Sequence, residues 1–391
     1  MTSTVADRAL SDRAKRVGAT LEAQTSIPLE GVINLGTGTP DFPTPAHVIE
    51  AAKAALDGGQ TQYTAWPGIL PLREAIASKL DRDNGLKPNL QKELIVTTGV
   101  QEALLVIFLA LLDPGDEMLV PSPYYNEYYR DSLVAGGRLV TVPTYERDSF
   151  LVDAAEIEER ISPRTKAIIL NSPSGATGSV LALRTLEAIA ELAQRYDLVV
   201  VSDEIYEKFL YDGHRHHSIA ALPGMWERTV TVNGFSKYYS MTGWRVGYLT
   251  GPADLLQSML AFKHSMTICA PAVSQWAALA ALTGSMDWWP SVAKDYEARR
   301  QLWIEGLDAM GLSYGQPQGA FYLMVNISPT GKTSKEFAQA LKQEEKVLVG
   351  PGSAFGEEGE GYIRVSFNAP VDKLEEGLQR MQRAMTRWRN R

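Results

Sequence analysis

Hydrophobic positions along the chain fall into two textures. Short runs rich in Val, Ile and Leu, apolar rather than alternating, occur at 94–98, 117–121, 167–170, 198–202, 229–233 and 246–249. Between several of them lie stretches with apolar residues three and four apart, at 102–112, 125–135 and 182–196, the period of an amphipathic helix. A strand that is apolar on both faces is covered on both faces, and strands alternating with helices build βαβ units. The pattern predicts an α/β fold whose large domain holds a mostly parallel, mixed sheet between helices. After about residue 270 the texture changes. Helical pattern dominates 274–310, followed by a hairpin-like piece at 313–316 and 321–327, a helix at 334–342, strands at 347–349 and 362–366, and a last helix at 371–388. That mixture predicts a second, smaller α+β domain. The expected boundaries are an N-terminal segment 1–45 that packs with the small domain, a large domain 46–285 and a small domain 286–391.

Composition narrows the function. The 391 residues include 46 acids and 38 bases, a net charge of −8, and no sustained basic run precedes the last few residues, which argues against a nucleic-acid binder. The single cysteine, Cys269, excludes an intrachain disulfide framework and any metal cluster built on cysteines. Cytoplasmic residence is the expectation. Residues 1–16 mix acids and bases without an apolar core, unlike a signal peptide. The longest apolar run, 103–112, is ten residues, half of the about 20 that a spanning helix needs.

Three motifs are set aside. Gly331-Lys332-Thr333 resembles the end of a phosphate loop, but Asn326 stands where that motif needs its first glycine, so a turn before a helix is expected. Gly36-Thr37-Gly38 lacks the third glycine of a dinucleotide loop. His214, His216 and His217 sit beside Asp212-Gly213 and read as a solvated loop rather than a metal site, so no metal is expected.

Four segments carry chemistry. The stretch 229–247, TVTVNGFSKYYSMTGWRVG, is an apolar strand ending in a turn with Lys237, followed by Arg245. A lysine held at the end of a buried strand, its pKa lowered by burial and nearby cations, suits Schiff-base chemistry; a lysine that merely snorkels to solvent is the plainer alternative. Upstream, VVVSDEIYEK at 199–208 ends another buried strand on Asp203. A carboxylate there can pair with a pyridinium nitrogen, and Tyr206 can donate to a ring oxygen. Strand, glycine and helix start meet at Thr97-Thr98-Gly99-Val100-Gln101; the free amides of such a helix start form an anion site, and Ser236 and Arg245 are suited to complete it. Last, Arg364 lies in the apolar strand 362–367, where it needs a bidentate partner, either a substrate carboxylate or an internal acid.

With these residues in place the sequence resembles the pyridoxal-phosphate-dependent class I and II aminotransferases of fold type I, within them the aspartate-aminotransferase-like subgroup. The matching motifs are PDFPTP (40–45), Tyr63-Thr64, SDEIY (202–206), GFSK (234–237), MTGWRVGY (241–248) and GPGSAFGEEGEGYIRVSF (350–367). The resemblance implies pyridoxal 5′-phosphate as cofactor, with Lys237 carrying it and shuttling the proton, Asp203 on the pyridine nitrogen and Tyr206 on ring O3′. It implies amides of Val100 and Gln101 after Gly99, with Ser236 and Arg245, on the phosphate, and Tyr125 stacked on the ring. Tyr63 would reach the phosphate of a partner subunit, which makes the enzyme a homodimer with shared sites. Arg364 would bind the α-carboxylate of an amino-acid substrate, with Gly38 lining that end and Gly175 and Tyr128 also beside the substrate. Trp66, Tyr125, Tyr128 and Tyr239 are candidates for an aromatic pocket or for interface packing.

The sequence departs from the family at Asn-Pro-Thr-Gly. Here Gly175-Ala176-Thr177-Gly178 replaces it, which removes the asparagine that donates to O3′. A hydrogen bond to a charged acceptor is worth about 1.5–3 kcal/mol. At about 1.36 kcal/mol per unit, its loss would raise the pKa of the lysine–cofactor linkage by roughly one to two units. Thr39 replaces a frequent glutamate, and Gln101 stands where dicarboxylate-specific members carry lysine. The expected reaction is amino-group transfer between an amino acid and a 2-oxo acid. The alternative is elimination, replacement, cyclisation or carbon–carbon bond formation in a biosynthetic pathway, for example on S-adenosylmethionine, with Gly175 giving room for a larger substrate.

Overall fold

The computed structural model describes residues 9–20 and 31–389; residues 1–8 and 21–30 of the expected N-terminal segment, and 390–391, lie outside the described residues. Its centre is a seven-stranded sheet. In chain order its strands are β2 (Leu94–Thr97), β3 (Glu117–Ser122), β4 (Arg138–Pro143), β5 (Thr165–Asn171), β6 (Val199–Asp203), β7 (Thr229–Gly234) and β8 (Gly247–Thr250), arranged β2-β8-β7-β6-β5-β3-β4. The run from β4 through β3, β5 and β6 to β7 is parallel, whereas β8 pairs antiparallel with β7 and β2. The sheet is mostly parallel, as its apolar runs predict, and the antiparallel β8 makes it mixed. Almost every residue of β2, β3, β5, β6, β7 and β8 is buried. Helices pack on it, among them α3 (Leu70–Asn84), α4 (Val100–Leu111), α5 (Glu127–Ala135), α7 (Leu183–Arg195) and α8 (Ala253–Thr267), which follow α1 (Asp12–Ala19) and α2 (Ala46–Asp57), with the short α6 (Ala154–Glu158) between α5 and α7.

A second group of elements comes from the two ends of the chain. Strand β9 (Tyr322–Asn326) pairs antiparallel with β12 (Tyr362–Ser366), which pairs with β11 (Gly350–Pro351), and β1 (Ile33–Asn34) runs parallel to β10 (Val347–Leu348). Around them lie α10 (Trp289–Met310), α11 (Ser334–Glu345) and α12 (Val371–Arg389); α9 (Ala272–Thr283) packs instead on α2 and α3. The helical pattern expected over 274–310 is therefore two helices, broken at Gly284, whose amide closes α9 on the Ala280 carbonyl. Trp303, Phe321, Phe337, Phe367 and Leu374 form the core of this part, and Tyr206, Phe209 and Tyr211, from the turn after β6, pack into the same cluster. That turn thus joins the large sheet to the small ones. Thr333 caps α11 with a capping box to Glu336, so Gly331-Lys332-Thr333 is the turn before a helix. No described helix is long and apolar enough to cross a membrane.

Candidate active site

Parallel strands end their backbone amides and carbonyls in a crevice at the carboxyl edge, where α/β proteins gather ligands. Here β5, β6 and β7 end side by side, with Asn171 opposite Asp203 and Asp203 opposite Val232. The turn after β7 carries Ser236 and Lys237, and Gly99 sits at the start of α4 beside the β7–β8 pair. These ends, with the 38–39 loop and the face of β9 and β12, enclose a cavity of about 350 Å³. Gly38, Val100, Gln101, Tyr125, Gly175, Asp203, Tyr206, Ser236, Lys237, Arg245 and Arg364 all line it. Residues scattered over 326 positions of sequence are thereby brought to one wall (364 − 38 = 326).

Lys237 is half-buried, and Nζ donates to the Gly38 carbonyl at 2.7 Å. Burial lowers its pKa to about 8, with Arg364 and Arg245 adding to the effect and Asp203 opposing it. Asp203 shows the opposite balance. Burial raises it to about 6, while the Tyr128 hydroxyl (2.7 Å) and the Ile205 amide (3.2 Å) hold it down. A buried amine kept partly neutral beside a buried carboxylate is the pairing that acid–base chemistry needs. Tyr206 donates to the Tyr322 hydroxyl at 3.3 Å.

The anion end is built from backbone. Gly99 takes φ +81, and no side chain caps α4 there. A Cβ on Gly99 would stand 2.5 Å from Nη2 of Arg245, so glycine lets the guanidinium close over the helix start. Arg245 itself has φ +52, a left-handed conformation that a bulky side chain adopts only under constraint. Its Nη1 is held by the Thr242 carbonyl at 2.9 Å. Uncapped amides, Ser236 and a fixed guanidinium form a donor set suited to a phosphate.

At the other end, Arg364 is sandwiched between the rings of Tyr322 and Phe355, each 4.2 Å from its guanidinium carbon. Nη1 donates to the Gly175 carbonyl and Nη2 to the Gly36 carbonyl, both at 3.1 Å. Nε is buried without a partner. No acid neutralises this arginine among the described residues, so the internal salt bridge is absent and a carboxylate ligand fits the unpaired charge. The 36–39 loop opposite is pinned by four hydrogen bonds from three side chains: Arg364 on Gly36, Asn368 on Thr37 and Thr39, and Lys237 on Gly38. Thr44 and Trp244 tie the PDFPTP segment to the lysine turn.

Several expectations are corrected. Tyr128 does not line the cavity: it is 1% exposed and stands behind Asp203, bound to that carboxylate. His216 is not solvated. Its ring turns inward and meets Glu204 at 3.0 Å, with Glu207 beside them. The cluster is charge-compensated, since Lys79 ion-pairs with Glu207, and Asn84 donates to both glutamates. Of the aromatic-pocket candidates, Trp66 is 54% exposed and Tyr239 is buried against Phe235 and Tyr238, both outside the cavity; Tyr63, expected at a partner's site, is 79% exposed in its own chain. At Gly175 a Cβ would already lie 2.9 Å from the Tyr206 ring and 3.4 Å from Asn171 Oδ1, so the space next to its Cα is occupied by Tyr206. Asn171, four residues earlier, also lines the cavity; one N–H of its amide goes to the Asp203 carbonyl and its oxygen accepts from the Gly175 amide. Tyr322, Asn368 and Phe355 escaped the sequence reading. Asn368, a polar residue just past a buried strand, carried the only local signal.

Comparison with known proteins agrees with this geometry. Residues 30–381 match the family model of class I and II aminotransferases. An aspartate aminotransferase of Pyrococcus abyssi is 45% identical, and aromatic-amino-acid aminotransferase 2 of Thermococcus litoralis is 43% identical, each over 91% of this chain and 92% of its own length. The solved structure of an aromatic aminotransferase from Pyrococcus horikoshii overlays with a TM-score of 0.90 at 43% identity, covering 95% of this chain and 99% of that one. The chain is therefore an enzyme, and it belongs to the class I and II aminotransferase family.

Proposed function

We propose that the Lys237 cavity binds pyridoxal 5′-phosphate and that the enzyme transfers an amino group between an amino acid and a 2-oxo acid. The observation that carries this reading is the convergence of Lys237, Asp203, Arg245 and Arg364 on one cavity. The donor set fits the cofactor: amides of Val100 and Gln101 with Ser236 and Arg245 for the phosphate, Tyr125 against the ring face, Asp203 for the ring nitrogen and Tyr206 for O3′. When bound, the cofactor supplies an aldehyde that condenses with amines and an electron sink for the bonds at the substrate's α-carbon.

The chain's own residues do the rest. Asp203, held ionised by the Tyr128 hydroxyl and the Ile205 amide, keeps a ring nitrogen protonated. Arg364, its plane fixed by the Gly36 and Gly175 carbonyls, presents its unpaired edge to the α-carboxylate, with Gly38 lining that end. Lys237 Nζ, partly neutral near pH 8, takes and returns the α-proton. Gln101 is no receptor for a distal carboxylate, because its amide donates to both oxygens of Asp131 at 3.0 and 3.1 Å.

A homodimer is part of the reading. Tyr63, Trp66 and Leu70 are exposed, as are Phe262, Met266 and Ile268 at the end of α8. Trp66 packs on His264 of α8 at 4.2 Å between ring centroids, so the two groups form one apolar face, which a second copy would cover. Sedimentation equilibrium should give a dimer; an active monomer would refute it. We divide the chain into a large unit, 46–285, and a small one, 286–391, which β1 joins through β10; α1 of the expected N-terminal segment packs instead on α5 of the large unit. We assign it to the cytosol, where its lone cysteine would stay reduced.

The test is the half-reaction. The holoenzyme is mixed with single amino acids, and the bound cofactor is followed from its aldehyde absorbance to its amine form. Conversion with release of the matching 2-oxo acid supports transfer. Product formation without conversion, including with S-adenosylmethionine, would favour elimination or replacement instead.

A further inference from the structure

We infer that Tyr322 is a positioning residue for Tyr206, acting as the second hydroxyl of a donor chain that replaces the asparagine missing at position 175. The inference rests on the cofactor reading above. Gly175 has no side chain, and the Asn171 amide is already tied to the Asp203 carbonyl and the Gly175 amide. Tyr206 is therefore the hydroxyl donor for O3′ without the asparagine side chain that would stand at 175.

The partner of Tyr206 is Tyr322. Tyr206 donates to its hydroxyl at 3.3 Å, and that acceptance is the hydrogen bond the Tyr322 hydroxyl makes among the described residues. Its own proton is thus free to turn. Once Tyr206 directs its proton to the cofactor, the pair reverses: Tyr322 donates to Tyr206 Oη. A phenol that accepts one hydrogen bond gives a stronger one, the cooperative effect of a chain. The chain ends where it is needed. A Cβ built on Gly38 would lie 2.5 Å from the Tyr322 hydroxyl and 3.2 Å from Lys237 Nζ, so the hydroxyl stands on the cavity wall close to the amine.

The ring is held in place to do this. Tyr322 starts β9 and pairs with Ser366 of β12. It is buried, lies against the Arg364 guanidinium and meets the Tyr206 ring edge-on at 5.9 Å. The charged and titratable groups facing the two hydroxyls are Arg364, Lys237 and Tyr125. The hydroxyl is delivered from the small sheet to a residue beside the large one, which ties O3′ to the relative position of the two.

The experiment is a spectrophotometric pH titration of the bound cofactor in wild type, Tyr322→Phe, Tyr206→Phe and the double variant. Phenylalanine keeps the ring over Arg364, so a packing role alone would leave the titration unmoved. The expected result is that Tyr206→Phe raises the apparent pKa most, that Tyr322→Phe raises it by a few tenths of a unit to about one unit, and that Tyr322→Phe adds nothing in the Tyr206→Phe background. An unchanged or lowered pKa in Tyr322→Phe, or its full effect in the double variant, would overturn the inference. Should that variant not fold, 3-fluorotyrosine at position 322, a more acidic and stronger donor of nearly the same shape, should lower the pKa, and no shift would overturn it. A wild-type protein that takes up no cofactor refutes the proposed function, whereas a normal holoenzyme with an indifferent Tyr322 refutes only this pair.

Discussion

The hydroxyl of Tyr128 donates to Oδ2 of Asp203 at 2.7 Å, from a side chain that is itself almost fully enclosed. It is one of two donors that offset the burial of this carboxylate, and burial otherwise favours the protonated form. Tyr128→Phe should raise the Asp203 pKa above its value of about 6 and leave less carboxylate at neutral pH. A hydrogen bond to a charged group is worth about 1.5–3 kcal/mol, or roughly one to two pKa units, so the carboxylate fraction and with it the cofactor affinity at pH 7 should fall about 2- to 10-fold. Equilibrium dialysis against pyridoxal phosphate measures it. Unchanged affinity would mean that Asp203 does not depend on Tyr128 for its charge.

Arg364 is the first neighbouring charge, after burial, that depresses Lys237. Removing it should let the amine move from about 8 back toward its ordinary value. The apoprotein of Arg364→Gln should therefore show a lysine whose reaction with an acylating reagent titrates at higher pH than in the parent. The α-carboxylate would lose its receptor as well, so the substrate KM should rise steeply. A lysine titrating at the parent pH would show that burial alone sets its pKa.

Gly38 faces both the lysine and the Tyr322 hydroxyl. In Gly38→Ala the methyl would stand 2.5 Å from that oxygen and 3.2 Å from Nζ. The side chains, not the backbone, must yield, so the fold should survive. Displacement of a catalytic group by about 1 Å can reduce rate about 100-fold, and kcat should drop by that order with circular dichroism unchanged. Retained kcat would show that the two groups have other productive positions.

Lys79, Glu204, Glu207 and His216 form a buried charged cluster behind the Asp203 turn. Lys79→Met leaves Glu207 buried without its counter-charge and should destabilise by about 3–5 kcal/mol, with Lys79→Met/Glu207→Gln recovering part of it. Denaturant midpoints check this. The pH dependence has two arms. Burial would raise Glu207, but Lys79, His216 and Lys208 lower it, so its contribution is present above its unfolded value of 4.5 and lost as pH falls. Burial would lower His216, but Glu204 raises it, so its contribution is present below 6.5 and lost as pH rises through the folded value. The cluster should stabilise most between roughly pH 4.5 and 6.5 and lose its contribution on either side, and a wild-type stability that falls off on neither side of that window would contradict it.

The strands covered on both faces were legible because burial writes an uninterrupted apolar run. Edge strand β4 was not: Arg138 is exposed and most of the strand is half-buried, so its sequence carries a weaker signal. Helices α2, α3 and α8 were also missed; the apolar spacing of α3 is blurred by the buried Arg73, Lys79 and Asn84. In the site, residues that end buried strands or open a helix stood out, since Lys237, Asp203 and Gly99 are chemically odd where they lie. Tyr128, Tyr322 and His216 did not. Their roles arise from partners 75, 116 and 12 positions away, and a buried tyrosine on an apolar segment looks like core until its hydroxyl finds an acceptor.

The central claim is that Lys237 carries the cofactor. Borohydride reduction of the holoenzyme followed by proteolysis and mass spectrometry tests it most directly. The predicted result is a phosphopyridoxyl mass on the peptide containing Lys237 and on no other lysine. A label on a different lysine, or a Lys237→Ala protein that is still labelled and still turns over, would contradict the account.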